Sequence, residues 1–298
     1  MKALVIGGGI SDEREIALKS SESVHKAAIA AGHDCDFYDW NGEWEWLEEN
    51  LSNYEVVFPV LHGEGGEDGH IQEFLESKGV KFIGTKSKES KICFDKTATI
   101  NVLAENNISV PKGKLIDIES YYDDEVAKLP HVLKPFDGGS TIDSLINIKL
   151  GEVDDELVKS LFKKHKKLLL EEFIEGPEYT VPILEGKDLP IIEIIPPAGE
   201  TFDFKNKYNG KTKEICPPEG LNKDTQVMLA ELGKKVHNIL GCRHFSRVDI
   251  ILSETGPYIL EINTIPGMTN ESLFPKAAQV AGLEMPELVD YLIKLSQQ

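Results

Sequence analysis

Short apolar runs alternate with helical periods through the first third of the chain. Residues 2–6 (KALVI) form a brief apolar run ending in Gly7-Gly8-Gly9. From about Asp12 a helical pattern follows, with Ile16, Ser20, Val24 and Ala27 recurring on one face. Stretches at 34–39 (DCDFYD), 55–61 (EVVFPVL) and 80–83 (VKFI) read as further strands separated by helical segments. That is the rhythm of a parallel α/β sheet, expected to fill a first lobe over 1–86.

Beyond it the pattern changes. A helix over 87–106 leads to Val110-Pro111, and strands are expected at 131–135, 144–149 and 167–173 around a charged helix at 152–165. These make a smaller α+β lobe over 87–176. Over 177–298 the pattern gives strands at 178–184 and 189–195, a polar loop at 197–220 and a helix at 223–240. A hairpin at 244–263 and a last helix at 285–296 follow. A loop that long inside a compact lobe is usually functional or disordered.

Composition narrows the function classes. With 298 residues, 41% hydrophobic and 28% charged, the chain suits several packed lobes with clefts between them. A formal net charge of -19 repels nucleic acid and anionic membrane surfaces. The four cysteines (Cys35, Cys93, Cys216, Cys242) show no C-x-x-C spacing, which argues against a zinc cage or a disulfide framework and points to a reducing cytoplasm. No run approaches the roughly 18 apolar residues of a membrane span.

Several motifs lack parts. Asp12 stands where a dinucleotide fingerprint needs its third glycine, and Lys86 falls one place too late after Gly79–Gly84 for a phosphate-binding loop. The hairpin says more. Period-two alternation puts Arg247 with Asp249, and Glu261 with Asn263, on one face, while Val248, Ile250, Leu260 and Ile262 face the other way. A turn at Ser253–Pro257 sets Asp249 opposite Glu261. Like charges placed directly across a hairpin suit a cation between them, and all-oxygen ligands suit magnesium; a solvated polar face is the commoner source of the same pattern, so the hairpin alone decides nothing. Lys96, Lys134 and Lys207 are candidates to neutralise a nucleotide's phosphates, with Gly138-Gly139 after Lys134 as a covering turn. The run Glu171 to Glu178 reads either as an acidic linker or as a site in which Glu171 and backbone near Ile174 meet an adenine edge and Glu178 the ribose hydroxyls.

Taken in order, Ser11-Asp12-Glu13-Arg14-Glu15, His62-Gly63-Glu64-Gly65-Gly66-Glu67-Asp68-Gly69, Asp95-Lys96, Lys134-Pro135, Gly139-Ser140-Thr141 and Glu171 to Glu178 closely resemble the D-alanine:D-alanine ligase family. So do Lys207-Tyr208, Cys216-Pro217, Arg247-Val248-Asp249, Glu261-Ile262-Asn263-Thr264, Pro266-Gly267-Met268-Thr269 and Ser272-Leu273, collinear from about residue 5 to 292. The resemblance implies a three-lobed ATP-grasp fold, an N-terminal parallel α/β lobe followed by two α+β lobes enclosing ATP. It implies ligation of two D-alanines through an acyl phosphate for peptidoglycan precursors, with D-lactate- and D-serine-using relatives and other ATP-grasp carboxylate-amine ligases as alternatives. Glu13 would hold the first ammonium within a Glu13, Ser140, Tyr208 network, and His62 would shape that pocket. Arg247 and Gly267 N–H would stabilise the oxyanion, while Ser272 and Leu273 would receive the second substrate. Lys96, Lys134 and Lys207 would hold phosphates. Asp249, Glu261 and Asn263 would hold magnesium, two ions with manganese as a substitute, and potassium activation and a homodimer are also implied.

Two departures stand out. Ile142-Asp143 follows Ser140-Thr141 where the family usually carries a second serine, a small apolar residue and glycine, which adds negative charge near the phosphates. Glu271 replaces a common histidine before Ser272, so altered charge is expected at the second-substrate site.

Overall fold

The computed structural model describes residues 1–138, 143–147, 153–197 and 211–298. β1 (Lys2–Gly8) lies between β2 (Asp34–Trp40) and β3 (Val56–Pro59), all parallel. Leu4 and Ile6 enter one apolar cluster and Ala3 and Val5 another, so both faces of β1 are buried and its sequence is continuously apolar. The crossover helix α1 (Arg14–Ala30) packs so closely on the sheet that a Cβ at Gly7 would lie 2.0 Å from Ser21 Oγ. Helices α2 (Glu45–Asn50) and α3 (His70–Ser77) complete this unit. The strand expected at 80–83 is only a bridge, Val57 to Phe82, because Gly79 and Gly84 turn the chain at φ +65° and +109° on either side.

The helix expected over 87–106 is broken into α4 (Ser87–Phe94) and α5 (Lys96–Glu105). Asp95 leaves helical geometry at the break, and its carboxylate accepts from Thr97 N–H and Ala98 N–H at 2.8 and 3.0 Å. A second sheet has the order β4-β7-β5-β6, all antiparallel: β4 (Gly113–Ile116), β5 (His131–Lys134), β6 (Leu145–Asn147) and β7 (Leu168–Glu172). The short α6 (Ile118–Tyr121) and α7 (Asp155–Lys164) belong to this unit, and α7 presents Val158, Leu161 and Phe162 to the sheet's core.

The third sheet runs β10-β9-β8-β11-β12. Its strands are β8 (Glu178–Leu184), β9 (Ile192–Ile195), β10 (Lys213–Ile215), β11 (Phe245–Ser253) and β12 (Gly256–Asn263). β10 falls inside the stretch expected to be loop; residues 198–210 of that stretch lie outside the described residues. Helix α8 (Lys223–Ile239) packs Gly233 against Val181, and α9 (Leu273–Val280) and α10 (Met285–Leu295) follow. One apolar cluster joins Ala3, Val5, Val24 and Ala28 to Phe245, Phe274, Leu288 and Leu292, so the first sheet and the last helices share a core.

Asp249 does pair with Glu261, and Arg247 with Asn263, but by a different route from the one expected. The hairpin closes tightly, with Ser253 opposite Gly256, and a bulge between Asp249 and Ile250 restores the register. Leu260 is the extra residue. Ile259 therefore takes its place in the core beside Val248, Ile250 and Ile262, while Leu260 turns to the other face.

Candidate active site

A cleft of about 1110 Å³ opens between the second and third sheets. Strand alternation builds its walls: Val132 and Lys134 of β5 and Ile146 of β6 face it, whereas Leu133 and Leu145 point into the opposite core. Opposite stand Glu178, Asp249, Ile251, Leu260 and Glu261. Phe173 and Ile174, on the segment joining the sheets, close one end. Among these walls Val132, Ile146, Phe173, Ile174, Ile251 and Leu260 present apolar surface, which suits a flat heteroaromatic ring.

Lys134 Nζ lies 2.6 Å from Glu171 Oε2, and both are largely buried. Burial works to neutralise Lys134, but Glu171 and Glu261 outweigh it and hold its pKa above the ordinary lysine value. The other oxygen, Glu171 Oε1, is buried without a hydrogen-bond partner among the described residues. An orphaned acceptor of this kind at the apolar end of a cleft calls for a donor such as an exocyclic amine. Lys96, placed by the break at Asp95, donates to Gly138 O at 2.6 Å; burial lowers its pKa, against the attraction of Glu261.

Arg247 binds Asp249 through two bonds of 2.9 and 2.7 Å, and Thr180 Oγ1 donates to Asp249 Oδ1 at 2.5 Å. Asp249 and Glu261 both face the cleft, and Asn263 lines a small adjoining cavity with Glu261. Among the described residues, no three His, Cys, Asp or Glu side chains cluster closely enough to hold a metal by themselves. Two carboxylates and an amide, completed by nucleotide phosphates and water, nevertheless fit magnesium, which rarely takes an all-protein cage.

The opposite end of the cleft reaches the first unit. Glu13, just before α1, is 8% exposed and lines the cleft with Gly63. Gly63 has φ +69°, and a Cβ there would lie 3.0 Å from Glu13 Oε2, so the glycine leaves room for that carboxylate. Deeper in, His62 Nε2 and Ser20 Oγ lie 3.3 Å apart, and Met268 N–H donates to the same Ser20 oxygen at 3.2 Å. Burial and the nearby Arg247 push His62 down to about 4, so it is neutral. Ser272 precedes α9 as its cap residue, its Oγ accepting from Thr269 N–H at 3.1 Å. His62, Arg247, Gly267 and Ser272 are outside the main cleft's lining, and Ser20 joins His62 to the backbone of Met268, the residue after Gly267.

Glu13, Lys96, Lys134, Glu171, Ile174, Glu178, Asp249 and Glu261 all line one cleft. Ser140, Lys207 and Tyr208 lie outside the described residues. Glu271, one of the two departures, is 90% exposed and lies 3.9 Å from Lys276. The sequence reading gave no role to Glu67, which is buried and accepts from Gly63 N–H at 2.7 Å. Burial, then repulsion from Glu13, pushes it up to about 8. It also passed over Ser20 and Thr180; Glu67's place in the polar run Gly65–Gly69 is the one local signal for any of them.

Two antiparallel sheets gripping a cleft of this size, with lysines on one wall and carboxylates on the other, define an ATP-grasp protein. A family model described as D-ala D-ala ligase C-terminus matches residues 119–294, and one described as D-ala D-ala ligase N-terminus matches residues 45–85. The chain is 38% identical to the D-alanine–D-alanine ligase of Pseudothermotoga lettingae, over 99% of each chain. It is 35% identical to that of Desulforudis audaxviator, over 99% of this chain and 98% of that one. The D-alanine–D-alanine ligase of Bacillus anthracis, solved in complex with ATP, superposes with a TM-score of 0.84 at 30% identity, covering 100% of this chain and 97% of that one. The VanG D-Ala:D-Ser ligase of Enterococcus faecalis gives 0.80 at 26% identity, over 99% of each chain. This chain therefore belongs to the D-alanine–D-alanine ligase family.

Proposed function

We propose that the protein joins two D-alanines to D-alanyl-D-alanine at the expense of ATP, forming ADP and phosphate, in the cytoplasm and for peptidoglycan synthesis. The full-length likeness to D-alanine–D-alanine ligases carries this reading. Three units, 1–86, 87–176 and 177–298, would supply the first amino acid's site and the two jaws on ATP. Adenine would lie between Val132 and Leu260, its amine on the orphaned Glu171 Oε1 and its edge on backbone near Ile174, with the ribose on Glu178. Lys96, Lys134 and Lys207 would hold the phosphates. Asp249, Glu261 and Asn263 would hold two magnesium ions, which supply charge neutralisation on the phosphates when bound.

The first D-alanine would anchor its ammonium on Glu13, and its carboxylate would attack the γ-phosphate. The second amine would then displace phosphate from that acyl phosphate. Arg247 and Gly267 N–H would face the developing oxyanion, and Ser272 with Leu273 would seat the second carboxylate at the start of α9, where the helix dipole favours an anion. Neutral His62 packs the wall without competing with Arg247 for anions. A homodimer and potassium activation accompany the reading.

The test is phosphate release from magnesium ATP with D-alanine, D-serine, D-lactate and L-alanine, with the products separated by chromatography. D-alanine alone should suffice and give the dipeptide; no phosphate released with any D-amino acid would refute the proposal.

A further inference from the structure

Asp143 occupies a position its surroundings make unusual. Its φ is +57°, a left-handed conformation that glycine adopts freely and that aspartate and asparagine tolerate best among other residues. Its side chain is engaged twice from across the unit: Asp143 Oδ2 lies 2.5 Å from Lys164 Nζ and 3.1 Å from His165 Nε2. Lys164 ends α7 and His165 caps it, where cations are also favoured by the helix dipole. Burial pushes the Asp143 carboxyl up, but the bonds from Lys164 and His165 outweigh it and hold it below the usual range. Asp143, Ser144, Lys164 and His165 all line the cleft, and β6 begins two residues after Asp143. Lys164 also approaches Asp12, at 3.9 Å, on the segment that leads to Glu13.

We propose that the Asp143–Lys164–His165 cluster is a clamp that positions the nucleotide-facing wall at the start of β6, with Asp143 as its positioning residue. The proposal rests on the nucleotide reading given above. The clamp resolves a conflict: a carboxylate beside a polyphosphate would repel it, yet here the carboxylate is matched by two groups from α7. A glycine would meet the backbone requirement and leave the wall untethered. Aspartate meets it and ties the wall to a helix whose own N-terminus is capped by Asp154. No contact between Asp143 and the nucleotide is required.

The experiment separates anchoring from backbone conformation. Asp143→Asn keeps the left-handed preference and removes the charge, Asp143→Gly frees the backbone and removes the anchor, and Lys164→Met removes the partner's charge while keeping its stem. Each is expected to raise KM for ATP about fivefold to tenfold, the size of one ordinary net hydrogen bond at a partly exposed pair, with kcat changed by less than about twofold. The double variant Asp143→Asn/Lys164→Met should be no worse than the poorer single one, because both break the same link. Direct titration with a non-hydrolysable ATP analogue should show the same loss. Unchanged affinity in Asp143→Gly, tighter binding in Asp143→Asn, or multiplying effects in the double variant would each overturn the clamp. A wild-type chain that binds no adenine nucleotide would overturn the nucleotide reading and the clamp together.

Discussion

Replacing Lys134 with methionine removes one half of a buried ion pair, and its cost follows from the geometry. At 2.6 Å the pair is worth about 6 kcal/mol at an effective dielectric of about 20, much of it spent on desolvation. Without the ammonium, Glu171 stays buried with no ion-pair contact to Lys96, the other cation that acts on it, and with one oxygen already unpartnered. It escapes by taking up a proton. Holding a carboxyl neutral at pH 7 against an unfolded pKa near 4.3 costs about 4 kcal/mol, and at pH 5 about 1 kcal/mol. The sign follows directly: a carboxyl pKa raised in the folded variant costs nothing below the unfolded value and progressively more as pH rises above it. Lys134→Met should therefore lose about 4 kcal/mol at pH 7 and much less at pH 5. Lys134→Met/Glu171→Gln should recover most of the loss and show little pH dependence. Urea unfolding followed by circular dichroism at both pH values measures this. A loss of equal size at pH 5 and pH 7, or a double variant no more stable than the single one, would refute the reasoning.

Glu261→Gln should lower turnover by about a hundredfold or more in the phosphate-release assay with the circular dichroism spectrum unchanged, since a cleft carboxylate is lost and no core contact; near-normal turnover would remove the magnesium assignment. His62 and His244 are both pushed down to about 4, chiefly by burial, so the unfolded chain binds protons there that the folded one does not. Stability should fall as pH drops from about 6.5 to 4, and His244→Asn, which tolerates that residue's φ of +68°, should flatten this limb; an unchanged slope in thermal melts would count against it. Glu67, raised to about 8, opposes stability as pH climbs through neutrality, so Glu67→Gln should gain stability relative to wild type at pH 8 but not at pH 4.5, read from the same melts.

Local periodicity carried much of this fold because β1, β5, β8 and β11 bury their apolar positions in simple alternation or continuous runs. What it missed needed partners distant in sequence. β10, which begins at residue 213, pairs with β9, which ends at residue 195, and β4 is held by β7, more than fifty residues on; neither β10 nor β4 is strongly apolar. The break at Asp95 is a capping event inside a continuous helical pattern, visible once the carboxylate is seen to serve Thr97 and Ala98. In the hairpin the pairing of Asp249 with Glu261 was legible, but the bulge that exchanges Leu260 for Ile259 was not, since either register of β12 keeps apolar residues inside. The charge at Asp143 looked uncompensated because its partners come from the far end of α7, 22 residues away for His165. That Glu271 is exposed beside Lys276 is likewise a matter of side-chain direction, which spacing does not record.

The shared core of the first sheet and the last helices has a consequence for biosynthesis. Val24 and Ala28 of α1 pack in the same cluster as Leu288 and Leu292, and His33 lies 3.1 Å from Asp290. On a ribosome making about 5 to 20 residues per second, the partners of α1 emerge roughly 10 to 50 seconds after α1 itself. Through that interval the side of α1, and the part of the sheet, that meet these late elements stay uncovered, open to chaperones and to proteases. The unit translated first is therefore among the last to be finished, and the second sheet, whose core comes from residues 116–170, can close before it.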